Sequence, residues 1–227
     1  NLLSLDPGEK ISAVIPIQNF AEGKYLLMAT KNGLIKKTPL KEYDSSRKTG
    51  LLAINLKDDD ELIDVRLTDG EDNVVLVTSK GMCITFDEKD VRPVGRSAQG
   101  VLGIRLDDDD FVIGMESILA NNKNATLLAI TENGFGKRTE LEEYRVQNRG
   151  GRGVITYKVT PKTGDIVGIR IATDEEDVML ITDNGTIIRL NVKDISILGR
   201  ATQGVTLMRT NEGKVVSIEK ISLEESE

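Results

Sequence analysis

Short apolar runs recur at regular intervals along the chain, and each of them leads into a glycine turn. Four such runs are visible: YLLMATKNG ending at Gly33, VVLVTSKG at Gly81, TLLAITENG at Gly134 and VMLITDNG at Gly185. The turn glycines are 48, 53 and 51 residues apart, so the chain is a tandem repeat with a period of about 50 residues. The runs are too short for helices, rich in β-branched residues and nearly continuously apolar, which predicts strands covered on both faces.

A second glycine and two further apolar runs complete each unit. Gly50, Gly100, Gly153 and Gly204 follow the turn glycines by 17, 19, 19 and 19 residues. The segments after them (LLAINL, VLGIRL, VITYKV and VTLMR) again look like strands, and so does a last run such as ELIDVRL. Because Asn-Gly between strand-like runs is a strong hairpin signal, each unit is predicted to form about four strands. Four-stranded units in tandem predict an all-β, propeller-like fold.

The repeat predicts a single domain over residues 1–227. Its complete units are 25–72, 73–124, 125–177 and 178–223. Residues 1–24 align with the back half of a unit: NLLSL (1–5) matches GLLAINL and KISAVIPI (10–17) matches ELIDVRL, so both are predicted strands. They predict a partial blade in an N-terminally truncated fragment; alternatively, these strands complete the last blade and close the ring. Residues 224–227 are predicted to be the start of an acidic tail, or a solvated terminus.

Composition narrows the chemistry. The chain has one Cys and no His, which excludes disulfides within the chain, His-based zinc sites and His-based triads. No apolar stretch reaches membrane-spanning length and no signal peptide is visible, so a cytoplasmic protein without membrane contact is predicted. The net charge of −7 argues against a nucleic-acid partner only if the charges are evenly spread.

The charges are not evenly spread. The four segments from turn glycine to second glycine hold 16 basic and 9 acidic residues, a net charge of +7, whereas the rest of the chain has a net charge of −14. Because the four segments occupy equivalent positions in the repeat, they are predicted to form a basic rim on an acidic body. The second segment is the exception, since it is neutral overall.

The segment from Gly134 to Gly153 has the strongest candidate chemistry. Glycines allow a backbone to approach a polyanion, and Arg matches phosphate oxygens two at a time. The alternative is that Gly and Arg only shape a long turn. An Arg precedes the second glycine in every unit, which favours a binding function. The residues predicted to contact phosphate are Lys36, Lys37, Arg47, Lys48, Arg96, Lys137, Arg138, Arg145, Gln147, Arg149, Gly150, Gly151, Arg152, Arg189 and Arg200.

The units resemble the C-terminal domain family of the DNA gyrase A subunit. The resemblance covers essentially the whole chain and is carried by NLLSLDPGEKISAVIPI, GKRTELEEYRVQNRGGRGV and ISILGRATQGVTLMRT. It implies a β-pinwheel, a disc of six blades that wraps duplex DNA around its rim so that strand passage introduces negative supercoils. Gln147 to Gly153 is similar to the gyrase box, Q-R-R-G-G-[R/K]-G, with Asn148 in place of Arg. In the family the box belongs to the first blade, whereas here it lies in a unit that aligns with the fifth.

The resemblance also implies a parent enzyme, an ATP-dependent type IIA topoisomerase. Its catalytic tyrosine and metal-binding carboxylates are in other parts of the parent, so no catalytic residue, ATP site or Mg²⁺ site is expected in this chain. The implied partners are duplex DNA, the gyrase B subunit, which completes a heterotetramer on the nucleoid, and the rest of the gyrase A subunit. The isolated domain is expected to be a monomer.

Two alternatives stay open. One is the equivalent domain of topoisomerase IV, whose blades are generally fewer and less regular. The other is a protein-binding propeller, although the absence of Trp and His argues against WD40 repeats.

Overall fold

The chain folds into four small antiparallel sheets. A computed structural model describes residues 7–45, 50–119, 124–210 and 213–221. The strands are β1 (Tyr25–Thr30), β2 (Leu34–Pro39), β3 (Leu62–Thr68), β4 (Asn73–Thr78), β5 (Met82–Asp87), β6 (Val101–Leu102), β7 (Val112–Ile118), β8 (Thr126–Thr131), β9 (Phe135–Glu140), β10 (Val154–Ile155), β11 (Ile166–Ala172), β12 (Asp177–Thr182), β13 (Ile187–Asn191), β14 (Val205–Thr206) and β15 (Val215–Ile221). The predicted all-β, propeller-like β-pinwheel is confirmed, while the unit boundaries stay predictions.

Each sheet, or blade, is built on the hairpin that the sequence predicted. The hairpins are β1–β2, β4–β5, β8–β9 and β12–β13, each closed by a glycine turn. One-turn 3-10 helices follow the second strand of each hairpin, at Leu40–Tyr43, Glu88–Asp90, Leu141–Glu143 and Val192–Asp194. No helix in the described part of the chain is long and apolar enough to cross a membrane.

The sheets do not coincide with the repeat units. Their strand orders are β3-β1-β2-β6, β7-β4-β5-β10, β11-β8-β9-β14 and β15-β12-β13. The short strands β6, β10 and β14 therefore belong to one unit but pair with the blade of the preceding unit. The expectation that each unit supplies all four strands of its own blade is wrong. The cause is the long segment before each second glycine, which carries the chain across to the neighbouring blade before the short strand forms.

Among the described residues, the exchange of short strands stops at the first blade and at the fourth blade. The segment Leu51–Leu56, predicted as a strand, forms none, because the described residues before Tyr25 contain no strand for it to pair with. Its Leu52 side chain is 61% exposed. At the other end, the described part of the fourth blade has three strands, and β13 forms its edge. The predicted strand over residues 10–17 is also not formed, and the expectations for residues 1–5 and 224–227 lie outside the described residues.

The core lies between the blades. The inner strands β3, β7, β11 and β15 pack side by side in that order. A separate apolar cluster fills each of the three blade junctions; the first contains Leu27, Leu76, Phe86 and Met115. The inner strands and residues 11–15 surround a central cavity of about 540 Å³. The blades thus form an arc around one axis, with their outer edges facing away from it.

Candidate nucleic-acid interface

The outer border of the arc is formed by three loops, which we call the rim loops: residues 91–100, 144–153 and 195–204. Each rim loop runs along the second hairpin strand of the preceding blade, here called the outer strand (β2, β5, β9 or β13). The backbone N–H of Val94 donates to the Lys37 carbonyl at 2.8 Å, that of Gln147 to Thr85 at 2.7 Å and that of Leu198 to Arg138 at 2.8 Å. Each loop then turns at its glycine and returns as a short strand. The rim loops thus cover edges that would otherwise be unpaired.

Two of the predicted phosphate contacts are buried beneath the rim loops. The side chains of Lys36 and Lys137 are 0% and 1% exposed. The Lys137 ammonium donates to the carbonyl oxygens of Gly199 and Arg200 at 2.6 and 2.5 Å, and the Lys36 ammonium to those of Ala53 and Arg96 at 2.5 and 2.6 Å. Burial lowers the pKa of each ammonium to about 8. These lysines hold the turns of the rim loops from inside.

The next residues on the same strands, Lys37 and Arg138, are buried as well, at 4% exposure each. The Lys37 ammonium donates to the Glu88 carbonyl at 2.9 Å, and Arg138 Nε donates to the Ile195 carbonyl at 2.8 Å. The expectation that these two residues and the two buried lysines contact phosphate at the surface is therefore wrong. The reason is that the rim loop of the following unit covers the strand that carries them.

The arginines that precede the second glycines are partly exposed, and each ties two units together. The Nη1 atoms of Arg96, Arg149 and Arg200 donate to the carbonyl oxygens of Leu52, Leu102 and Ile155 at 3.3, 3.0 and 3.1 Å. Every acceptor is the second residue after the second glycine of the preceding unit. A guanidinium has five N–H donors, so each arginine keeps donors that can face a phosphate. The equivalent Arg47, and Lys48 beside it, lie outside the described residues.

The glycines of the box-like loop have a structural role. Gly150 has a φ of +79° and its N–H donates to the Gly103 carbonyl at 2.6 Å. A side chain at Gly153 would overlap the Cys83 carbonyl. This is the alternative that the sequence left open, glycines shaping a turn.

The polar side chains of this loop differ in exposure. Arg145 and Arg152 are exposed, while Gln147 and Arg149 are half-buried. Arg152 forms an ion pair with Asp107. Arg189, on the open strand β13, is exposed and donates through Nε to Asp177 at 2.6 Å. Rim contacts were predicted at these side chains from the sequence, and their role toward DNA stays a prediction.

Sequence reasoning missed a second row of exposed cations. Arg105, Lys158 and Arg209 occupy the third position after the short strands β6, β10 and β14. The backbone N–H of Arg105 donates to the Gly151 carbonyl at 2.8 Å, and that of Lys158 to the Thr202 carbonyl at 2.9 Å, so these two cations lie beside the turn of the next rim loop. The signal that could have found them is their equal phase in the repeat, five residues after the second glycine of their units.

The rim stays basic when the buried charged residues are left out and the second row of cations is added. Without the four buried cations and the buried Glu88, the segments between turn glycine and second glycine hold 12 basic and 8 acidic residues. The three cations of the second row restore the balance to +7. Exposed positive charge therefore recurs with each of the three rim loops at the outer border, in a chain whose net charge is −7.

Comparison with known proteins shows which family shares this architecture. The family model described as "DNA gyrase C-terminal domain, beta-propeller" matches residues 24–69, 72–118, 125–173 and 176–222. The DNA gyrase A subunit of Clostridium acetobutylicum is 54% identical over all of this chain and 27% of its own length, and that of Escherichia coli is 44% identical over 98% of this chain and 25% of its own length. The chain thus spans about a quarter of these relatives.

Two solved structures are also similar. The C-terminal domain of DNA topoisomerase IV has a TM-score of 0.90 at 34% identity, covering 96% of this chain and 68% of that one. A DNA gyrase A C-terminal domain has a TM-score of 0.87 at 25% identity, covering 96% and 73%. The four repeat matches and the whole-chain similarity to gyrase A subunits lead to one conclusion: this chain belongs to the DNA gyrase A C-terminal domain family.

Proposed function

We propose that the chain binds duplex DNA without sequence specificity, bends it along the rim and thereby supports negative supercoiling by a gyrase of which it is part. The observation that carries this proposal is the recurrence of exposed cations at equal phase. Arg96, Arg149 and Arg200 form one row, and Arg105, Lys158 and Arg209 form the second. Smooth bending of 20–30 base pairs costs roughly 1–6 kcal/mol, so a curve needs attractive contacts at successive points. Equivalent blades supply such contacts at a repeated spacing.

The absence of base-reading elements from the described residues supports a sequence-independent mode. No described helix is longer than one turn, so no helix there can lie in a major groove. The exposed cations are arginines and lysines on loops, the residue types that neutralise phosphates.

A salt series on duplex binding tests the proposal. If six rim cations each neutralise one phosphate, log K should fall against log salt with a slope of about −5. The variant Arg105→Ala/Lys158→Ala/Arg209→Ala should flatten the slope by about 3. A matched control removes three lysines that belong neither to the rim loops nor to the second row, the partly exposed Lys31 and the exposed Lys80 and Lys214. Equal flattening by both variants would show that net charge alone, and not the rim, governs binding.

Bending is measured separately, by sealing nicked plasmid with ligase in the presence of the chain. Trapped writhe supports the gyrase role. The similarity to the topoisomerase IV domain favours a second candidate, the equivalent domain of that enzyme, and binding without trapped writhe would support it.

The rest of the assembly is part of the same proposal. In the parent enzyme, the chain is joined to the remainder of the gyrase A protein and works together with the B subunit. This enzyme acts in the cytoplasm, on nucleoid DNA. Catalysis, ATP and Mg²⁺ belong to other parts of that enzyme. Copurification of the full-length gyrase A protein with the B subunit, with and without this chain, tests which of these contacts depend on it.

A further inference from the structure

An ion pair joins the acidic turn 107–110 to the box-like loop. Asp107 belongs to the second unit and Arg152 to the third, and the Asp107 carboxylate accepts a hydrogen bond from Arg152 Nη2. Both side chains stay open to solvent, with 58% of Asp107 and 68% of Arg152 exposed. Because neither partner is buried, Arg152 can exchange this contact for another without disturbing the core.

The Asp107 side chain does not hold its own turn together. Its neighbour Asp110 has that role, since Asp110 Oδ1 accepts from Ser79 Oγ at 2.9 Å and from the backbone N–H of Lys80 at 3.0 Å. Among the described residues, the carboxylate of Asp107 has a hydrogen bond to Arg152 alone. An exposed ion pair adds little to folding stability. The position of this carboxylate therefore matters for the arginine rather than for the fold.

Arg152 already has an acceptor of the kind that DNA would offer. A guanidinium binds carboxylate and phosphate oxygens through the same N–H fork. A phosphate that contacts Arg152 either displaces Asp107 or lies beside a like charge, and both lower the affinity of the box-like loop for anions. Asp107 is part of the same molecule, so its effective concentration at Arg152 is on the order of millimolar. A single dissolved phosphate therefore competes poorly with it.

A duplex competes better than a single anion, because it binds at several points at once. The exposed Arg105 lies beside Arg152, since its backbone N–H donates to the carbonyl of Gly151 at 2.8 Å. A polyanion held by such a neighbouring cation presents its next phosphate to Arg152 at a high local concentration. The Asp107 carboxylate thus weakens the binding of single anions more than that of a duplex.

Two other rim arginines have a carboxylate beside them. Glu42 Oε2 accepts from the backbone N–H of Arg96 at 3.2 Å, and Glu143 Oε2 accepts from that of Arg200 at 3.1 Å. The same Glu143 oxygen is 3.8 Å from Arg200 Nε. These two carboxylates also hold the backbone of a rim loop, so their removal would alter the loop itself. Asp107 is the member of the group that can be changed without that effect.

We propose that Asp107 is a specificity-determining residue of the rim: it occupies Arg152 in the free chain in place of a phosphate and makes the box-like loop selective for duplex DNA over single phosphate anions. The inference rests on the proposed function, because it takes the rim to contact DNA phosphates. On binding, the Arg152 guanidinium exchanges a carboxylate oxygen for a phosphate oxygen, and the Asp107 side chain turns to solvent.

Two matched variants test the role of the carboxylate. Asp107→Asn and Asp108→Asn each remove one negative charge from the same exposed turn, and among the described residues Asp108 has no ion pair. Fluorescence anisotropy with a labelled duplex should show binding about three- to tenfold tighter for Asp107→Asn and less than about twofold tighter for Asp108→Asn. In an Arg152→Ala background the two substitutions should have equal effects. The melting temperatures should stay within about 2 °C of the parent chain.

Selectivity is measured without DNA, by titrating inorganic phosphate at constant ionic strength and following the Arg152 Nε–H resonance by NMR. The apparent phosphate affinity should rise at least about threefold in the Asp107→Asn chain and stay unchanged in the Asp108→Asn chain.

The possible failures are distinguishable. A parent chain that does not bind the duplex would overturn the proposed function and this inference with it. If the parent chain binds the duplex, three results would overturn this inference alone: equal duplex affinities of the Asp107→Asn and Asp108→Asn variants, a gain from Asp107→Asn that persists in the Arg152→Ala background, or the same phosphate response of Arg152 in the parent chain and the Asp107→Asn variant.

Discussion

A buried carboxylate near the axis gives the most quantitative prediction. Position five of the inner strands, opposite the third residue of each first strand, alternates in charge: Arg66, Glu116, Arg170 and Glu219. Glu116 is the most buried member of this row, with 12% of its side chain exposed, and it accepts from Arg66 Nη2 at 3.1 Å. Burial raises its pKa to about 7, despite Arg66 and Arg170, while Asp64 adds to the increase.

The sign of the pH effect follows from proton binding. Glu116 titrates near its ordinary value of 4.5 when the chain is unfolded and near 7 when it is folded. Between these values the folded state binds more protons, so the contribution of this group to stability falls as the pH rises and is constant above pH 7. A difference of about 2.5 pH units corresponds to at most about 3 kcal/mol.

Glu116→Gln removes this titration and keeps a hydrogen-bond acceptor toward Arg66. We therefore expect the variant to gain up to about 3 kcal/mol relative to the parent chain between pH 4.5 and pH 8. Urea denaturation of both proteins at several pH values measures the difference, and Glu219→Gln, in the same row but exposed, is the matched control. A stability difference that does not change with pH would refute the assignment of a raised pKa to Glu116.

Three further predictions address the loops. Lys137→Ala should lower the free energy of unfolding by about 2–4 kcal/mol, since two turn carbonyls lose a charged donor, and should leave the DNA affinity of the folded chain unchanged. A loss of DNA affinity without a loss of stability would show that Lys137 contacts DNA after all. Gly81→Ala should cost more than about 3 kcal/mol, because its side chain would overlap the backbone carbonyl of Tyr157, just beyond β10 of the next unit. Gly185→Ala should cost only about 1–2 kcal/mol, because no described atom lies against that turn. Equal melting temperatures of the two variants would contradict the strand exchange. The double variant Arg149→Ala/Arg152→Ala should reduce the end-to-end FRET of a labelled duplex more than it reduces the affinity of the chain for that duplex, because bending needs every successive contact. If the variant is destabilised but still gives normal FRET, these residues only shape the turn.

The repeat, the hairpins and the fold class followed from the sequence because they depend on local patterns. A glycine turn between two apolar runs closes a hairpin whatever surrounds it. The partner of a two-residue strand such as β6 is different. Two residues are too few to show a pattern of apolar and polar positions, and the pairing of β6 with β2 is set by the path of the rim loop that precedes β6. The exchange of short strands between blades therefore could not be predicted from the periodicity of the sequence.

The site was predicted less well than the fold, for a related reason. Lys36 and Lys137 look like surface residues in a list of cations, yet they occupy a strand position where the other two units hold Ile84 and Ile188. Comparing each position across units, rather than counting charge within a loop, indicates a buried site. The same comparison finds Arg105, Lys158 and Arg209.

The rim loops join the two properties on which wrapping depends. They carry the exposed cations, and they also complete the neighbouring blade by covering its edge. Under the proposed function, an arginine such as Arg149, which donates to the Leu102 carbonyl of the preceding unit, would transmit a pull from DNA to the junction between blades. A loop attached at one blade alone would yield under that pull at little energetic cost. Because each loop is anchored to two blades, we expect the curvature of bound DNA to be set by the angle between the blades rather than by the flexibility of the loops.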